Sequence, residues 1–404
     1  MIKKTFLISS LFLALSSFIY SFDYGASITS YTKVETPSFL AAEKDEFKTF
    51  ALKQEEILTG WLRHDFSPTM YLAAEADVRF RTTNPNLDNT DNLVNVFIPD
   101  LKLFRFFKKF ALSADASASA DCITLNAGRI FYSDITGTVL NQPADGFNLS
   151  YSASRVKARL YANYTGLLNA QNVTILNKKT SSYLLDPKKP WYFAAPYTNA
   201  GCAIEFPYLF ANQTLSAEFL ASFGSGGIEA AATGYNRFWG SLGLNGFLLK
   251  NLCYVFTTTF GSELEDGISN LTKLSVTYLP NFKNMAVSIF GHYASGQQLG
   301  LKPFKGFTKA TAVAAPGEPE YSGITKAGAS ISIKPLKSLF TALNTSAVFS
   351  CPKDEFEYKG FETGLTGVFQ IFSDLNINGN FTQFFAKESN NSKATFTLAA
   401  SLAF

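Results

Sequence analysis

Arg63, Asp65, Glu75, Asp77, Arg79 and Arg81 set both signs of charge at two-residue spacing on either side of Ser67-Pro68. Two chemistries fit. Opposite charges on neighbouring antiparallel strands form a structural ion-pair network, or the same side chains meet polar solutes directly. Lys157 and Arg159 repeat the spacing, and Glu205 and Glu218 occupy inward positions nearby. The basic pair favours anions and the acidic pair opposes that preference, so no sign of selectivity follows. A third group lies in Asn126–Tyr151, NAGRIFYSDITGTVLNQPADGFNLSY, where Arg129 follows Gly128, Asp134 sits in a loop containing Gly, Thr, Asn and Pro, and Asp145 precedes Gly146. An arginine facing carboxylates across water sets a transverse field that discriminates among polar solutes. The alternative is an ordinary hairpin in which Asp145-Gly146 supplies the turn.

Catalytic chemistry is poorly served. The two histidines, His64 and His292, fall near predicted strand ends, and no nucleophile stands at a recognisable spacing from either. Gly224-Ser225-Gly226-Gly227 lacks the Lys-Ser/Thr of a phosphate loop and reads as a flexible connection. Cys122, Cys202, Cys253 and Cys351 are scattered without metal-ligand spacing and are expected as free thiols. Neither cofactor nor metal is expected. Without Lys3 and Lys4, Lys and Arg fall from 35 to 33 against 32 Asp and Glu, which gives no case for nucleic acid.

The elements that must carry these side chains are strands. In 69–82, Leu72, Ala74, Ala76, Val78 and Phe80 alternate with Glu75, Asp77, Arg79 and Arg81; in 155–164, Val156, Ala158, Leu160 and Ala162 alternate with Lys157, Arg159, Tyr161 and Asn163. That period of two is strand geometry. From 24–33 to 392–404 the chain divides into roughly eighteen such segments of about ten to thirteen residues, near the length of tilted transmembrane strands. The fourth is expected at 94–106. The stretch 107–120 is too long for a simple turn; if it continues its neighbours the count becomes about sixteen. Tight connections at Ser67-Pro68, Ala153-Ser154, Leu248–Lys250, Pro335–Ser338 and Phe372-Ser373 alternate with excursions at 34–53, 165–197 and 296–322. The last two carry Trp191 and Tyr192, and Lys302, Phe304, Lys305 and Phe307, expected as exposed loop residues that either cap the pore or bind surface ligands.

Charged residues make up only 17% of the chain and mean hydropathy is +0.05, yet apolar residues are dispersed among Ser, Thr, Asn and Gly. A soluble sandwich turns its apolar face inward and a charge-rich face outward. Here the polar faces are sparse in charge, and an Arg or Lys on a lipid face costs about 2–4 kcal/mol at the midplane, so the charged faces point inward. The expected fold is an all-β transmembrane antiparallel up-and-down barrel with a wet interior.

The ends agree. Met1–Ser21, with Lys3 and Lys4 before an apolar run, reads as a signal peptide, leaving 22–404 as one barrel domain. Ser392–Phe404, SKATFTLAASLAF, alternates to the final residue, with Phe396, Leu398, Leu402 and Phe404 on one face. This segment resembles the terminal strand of bacterial outer-membrane β-barrels, and the resemblance implies that these four residues are read by the barrel-assembly machinery. The GR…D…G…DG order around Arg129, Asp134 and Asp145 is similar to that of general porins and alginate-export-like channels, which implies an early loop folded toward the lumen with these residues at a constriction. The resemblance implies a channel for passive diffusion of small hydrophilic solutes, lined by the charged residues named above. The implied partners are outer-membrane lipid, those solutes and the assembly machinery, with loops at the cell surface and homo-oligomerisation left open. The competing readings are a transporter of hydrophobic substrates and a surface adhesin or ligand-binding barrel with a closed pore.

Overall fold

The computed structural model describes residues 23–37, 49–88, 105–165, 197–210, 212–224, 236–263, 267–282, 284–297, 300–307, 323–351, 355–388 and 392–404. They form eighteen strands: β1 Asp23–Pro37, β2 Thr49–Ser67, β3 Met70–Asp88, β4 Arg105–Ala120, β5 Ile123–Ser133, β6 Asn141–Ser152, β7 Lys157–Tyr164, β8 Tyr197–Phe210 and β9 Gln213–Gly224. The second half comprises β10 Arg237–Leu249, β11 Leu252–Glu263, β12 Gly267–Tyr278, β13 Ala286–Ala294, β14 Ile324–Leu336, β15 Leu339–Ser350, β16 Glu357–Gln370, β17 Leu375–Ala386 and β18 Lys393–Ala403. Each strand pairs antiparallel with its chain neighbours, and β1 pairs with β18 from Ser27 opposite Ala403 to Pro37 opposite Lys393. The sheet is therefore a closed barrel, in which no strand edge is left unpaired.

Side-chain exposure decides which face is which. On β7, Leu160 is 53% exposed and Tyr161 only 1%. Leu58, Leu242, Ile289, Leu365 and Leu398 are likewise exposed on the outside, an apolar belt of the kind that meets lipid. The register carries this parity around the barrel: Leu58 lies opposite Val78, and Glu55, Ile57, Thr59, Trp61, Arg63 and Asp65 alternate with that outer set. Among the described residues no helix is long and apolar enough to cross a membrane.

Connections at one end are short. Pro68 and Thr69 separate β2 from β3, and Lys337 and Ser338 separate β14 from β15. Asp121 (φ 49°) and Asn212 (φ 61°) take left-handed backbone in two of these turns, a conformation that short polar side chains tolerate. Two expectations need correction. The stretch 107–120 is no irregular connection: it lies within β4, where Ala, Ser and Asp alternate, while most of the expected 94–106 strand falls outside the described residues. Asp145-Gly146 does not turn; both residues lie within β6, and the connection from β5 is Asp134–Leu140. The signal segment, Trp191, Tyr192 and Ser225–Gly227 also lie outside the described residues. The four cysteines are free, and Cys122 and Cys202 are exposed.

Candidate channel constriction

The Asp134–Leu140 loop begins on a clamped hairpin. Arg129 on β5 and Asp145 on β6 are register partners, and the guanidinium donates from Nε at 2.9 Å and from Nη2 at 2.7 Å to the two carboxylate oxygens. This two-pronged geometry fixes direction as well as distance. Arg129 and Asp145 share the parity of the exposed Phe131 and Phe147, however, so the pair lies on the outer face and braces the hairpin instead of facing the lumen as expected. Beyond it, Asp134 turns back on its own loop. Its Oδ1 accepts from the amides of Thr138 (3.0 Å), Val139 (2.9 Å) and Leu140 (2.9 Å), and its Oδ2 from that of Thr136 (2.9 Å). Gly137, at φ 60°, supplies the left-handed residue of the turn. Asp134 is buried, so its carboxylate organises the loop and does not face passing solute.

The loop is tied to distant parts of the wall. Glu218 on β9 accepts from the Ile135 amide at 2.5 Å, from Arg159 Nη2 at 2.8 Å and from the Tyr161 hydroxyl at 2.8 Å. Arg159 Nη2 also donates to the Ser133 carbonyl at 2.7 Å. On β12, Lys273 donates to the Thr136 carbonyl at 3.1 Å and to the Thr138 hydroxyl. A segment that joins β5 to β6 and bonds to β9 and β12 crosses the lumen. Gly201 on β8 makes room for this arrangement: a Cβ there would lie 2.3 Å from Cζ of Tyr161.

Residues 300–307 fold inward on top of the first loop. The Phe307 amide donates to the Val139 carbonyl at 2.9 Å, Arg237 Nη1 to the Gly306 carbonyl at 3.0 Å, and Trp239 Nε1 to the Lys305 carbonyl at 3.0 Å. The Arg237 guanidinium lies 5.1–5.7 Å from the ring centroids of Phe307, Trp239 and Tyr197, within cation–π range. Phe304 and Phe307, expected at the surface, are fully buried. With Val139, Leu140, Tyr132, Tyr161, Leu220, Trp239, Leu271, Ala294, Ile324, Val348 and Phe384 they form one apolar cluster inside the barrel. Its described members come from the two loop segments and from strands between β5 and β17; β18 and β1–β4 contribute none. A cavity of about 250 Å³ remains beside it, lined in part by Arg237, Trp239, Ser269, Gln297, Lys302 and Lys305.

The other sequence-predicted residues are placed as follows. Arg63, Asp65 and Glu75 face inward near the short-turn end; Arg63 Nε lies 2.9 Å from Asp65 and the guanidinium covers the Tyr71 ring at 4.1 Å. Asp77, Arg79 and Arg81 lie on β3 with backbone register partners Thr59, Ile57 and Glu55. Lys157 pairs with Glu205 at 2.8 Å, and Arg159 with Glu218 at the same distance. The open sector carries further pairs: Lys53–Glu55 at 3.0 Å, and Glu35 held between Lys33 and Lys393. Phe396, Leu398, Leu402 and Phe404 are exposed on the outer face. The sequence reading singled out neither Lys273 nor Arg237; each is a lone cation in an apolar or hydroxylated strand, and only the fold shows what it meets.

No family model matches the chain, and no curated protein sequence matches it. Solved structures do. Pseudomonas aeruginosa OccK7 (OpdD) superposes with a TM-score of 0.62 at 10% identity, covering 95% of this chain and 98% of that one. P. aeruginosa OpdQ gives 0.61 at 9% identity, covering 95% and 97%. The fold is that of the Pseudomonas Occ and Opd barrels. A third member, the outer membrane protein OpdK, gives 0.57 at 10% identity over 95% and 99% of the two chains, and has also been solved with vanillate.

Proposed function

We propose that this protein is an outer-membrane channel through which small hydrophilic solutes diffuse passively. The observation that carries the reading is the side-tethered constriction: a closed barrel, apolar outside and charged inside, whose lumen is crossed by a loop pinned to β9 and β12. A barrel that served only as a scaffold would need no buried Glu218, paired with Arg159, to hold a loop across its interior. The short-turn end faces the periplasm, the usual orientation of such barrels. Met1–Ser21 directs export, and the terminal strand through Phe404 is the assembly signal. At the level of the apolar cluster the solute path follows β18 and β1–β4, the sector outside it, past Glu35 and Glu55; toward the short-turn end the whole wall borders the path, including Arg63, Asp65 and Glu75. The mixed signs of that wall suit polar solutes better than either bare ion. OpdK, which shares the fold, accommodates a small organic molecule, and that supports a path on this scale.

The apolar cluster favours one competing reading, a ligand-binding barrel whose pore is closed. Planar-bilayer recordings of the refolded mature chain separate the two. Stable unit steps that persist across a range of voltages are expected; a folded barrel that gives no steps, with and without the 300–307 segment, overturns the channel.

A further inference from the structure

The wall from β14 to β18 has a chemistry that the charged sectors lack. β17 sends Asn376, Asn378 and Asn380 into the lumen, climbing from its short-turn end toward Phe384 in the apolar cluster. Asn380 is engaged: its side-chain oxygen accepts from the Thr366 hydroxyl at 3.1 Å and its backbone carbonyl from the Thr397 hydroxyl at 3.4 Å. Asn376 and Asn378 are exposed and make no side-chain hydrogen bond among the described residues. Asn344 on β15 is exposed in the same way, and lies over Gly364, where a Cβ would come within 2.2 Å of its amide oxygen. A primary amide offers two donors and a carbonyl acceptor, so these side chains can replace water on both sides of a hydroxyl group. At the upper end of this wall the inward cation Lys326 is held by Glu362 at 3.3 Å, whereas Lys334, toward the short-turn end of β14, is exposed. Arg63, Lys157 and Arg159 are likewise each held by a carboxylate. At each of these pairs a passing anion would have to displace a carboxylate fixed to the same wall, whereas a polyol needs only the amides and hydroxyls already facing it.

We infer that Asn344, Asn376 and Asn378 form a contact track for neutral polyhydroxylated solutes, sugars and polyols of monosaccharide size, and that the channel passes these in preference to carboxylates of equal size. The inference rests on the channel reading above and adds the solute class to it.

Liposomes containing the full mature chain and preloaded with radiolabelled arabinose or arabinonate test it, alongside bilayer recordings in a KCl gradient. Arabinose should leave about fivefold faster than its carboxylate, the order expected for one uncompensated hydrogen-bonding difference. The zero-current potential should stay near zero. The double variant Asn376→Ala/Asn378→Ala should slow arabinose about threefold or more while KCl conductance changes less than about twofold, since amide contacts and not pore width are removed. Faster arabinonate efflux, a strongly anion-selective potential, or unchanged arabinose efflux in the double variant would overturn the track while leaving an open channel in place. A folded barrel with neither conductance nor efflux overturns both.

Discussion

At the scale of single residues, the constriction depends on one buried carboxylate. Glu218 is 1% exposed and satisfied by Arg159, Tyr161 and the Ile135 amide. Taking away one partner of such a pair is far more costly than replacing both, because the remaining charge stays buried. Arg159→Ala should therefore destabilise the barrel by about 3–5 kcal/mol, seen as a lower urea midpoint, whereas Tyr161→Phe should cost about 1.5–3 kcal/mol as a single hydrogen bond lost from a charged acceptor. Gly201→Ala tests the same site sterically. Its new methyl occupies the place of the Tyr161 ring, which is packed in the apolar cluster and has no open space to enter. The expected outcome is loss of the Tyr161–Glu218 bond and greater current noise, at a stability cost of about 1–3 kcal/mol for overpacking. The sequence carried part of this. Inward positions for Glu205 and Glu218 follow from strand parity, but parity says nothing about which charges meet across intervening strands. That Arg159 spans from β7 to β9 depends on Ala203, the β8 residue between it and Glu218, being small.

At the scale of elements, alternation made most strands legible in the sequence, because a side chain facing lipid and one facing water cannot exchange places without cost. The fourth strand was misplaced for a physical reason. Arg105–Ala120 is rich in Ala and Ser, residues with little β preference, whereas the stretch before it is richer in Val, Ile, Leu and Phe. The turn at Asp145-Gly146 failed similarly: Asp-Gly is a strong hairpin signal, but Asp145 serves Arg129 and Gly146 serves close approach, since a Cβ there would lie 2.1 Å from the Ala162 carbonyl. The Asp134–Leu140 loop behaves as a strap with its far anchor at Lys273. Lys273→Ala removes both bonds from β12 to the loop and leaves those from Glu218. Unit conductance should rise, or fluctuate between two levels, while the urea midpoint falls by less than in Arg159→Ala. Equal conductance in the variant would mean that the loop does not limit the path.

At the scale of the whole molecule, closure is the property on which everything else depends, and it rests on the seam between β1 and β18. Phe404 contributes to that seam through its backbone: its amide donates to the Ala26 carbonyl at 2.9 Å, and its carbonyl accepts from the Ala26 amide at 2.8 Å. Its ring is exposed on the outer face and packs into no core. Deleting Phe404 therefore removes two hydrogen bonds from the end of a long ladder, a loss of about 1–3 kcal/mol. A barrel refolded in detergent should survive that loss, with a modestly lower urea midpoint and unchanged unit conductance. If the terminal strand is also an assembly signal, the same deletion should reduce the amount of folded protein reaching the outer membrane of an expressing cell far more than the lost bonds explain. Phe404→Leu separates the contributions, since it keeps the backbone bonds and removes only the aromatic ring. A steep fall in outer-membrane yield for Phe404→Leu, with normal refolding in vitro, would assign the ring to recognition; normal yield would leave Phe404 as the last rung of the seam and nothing more.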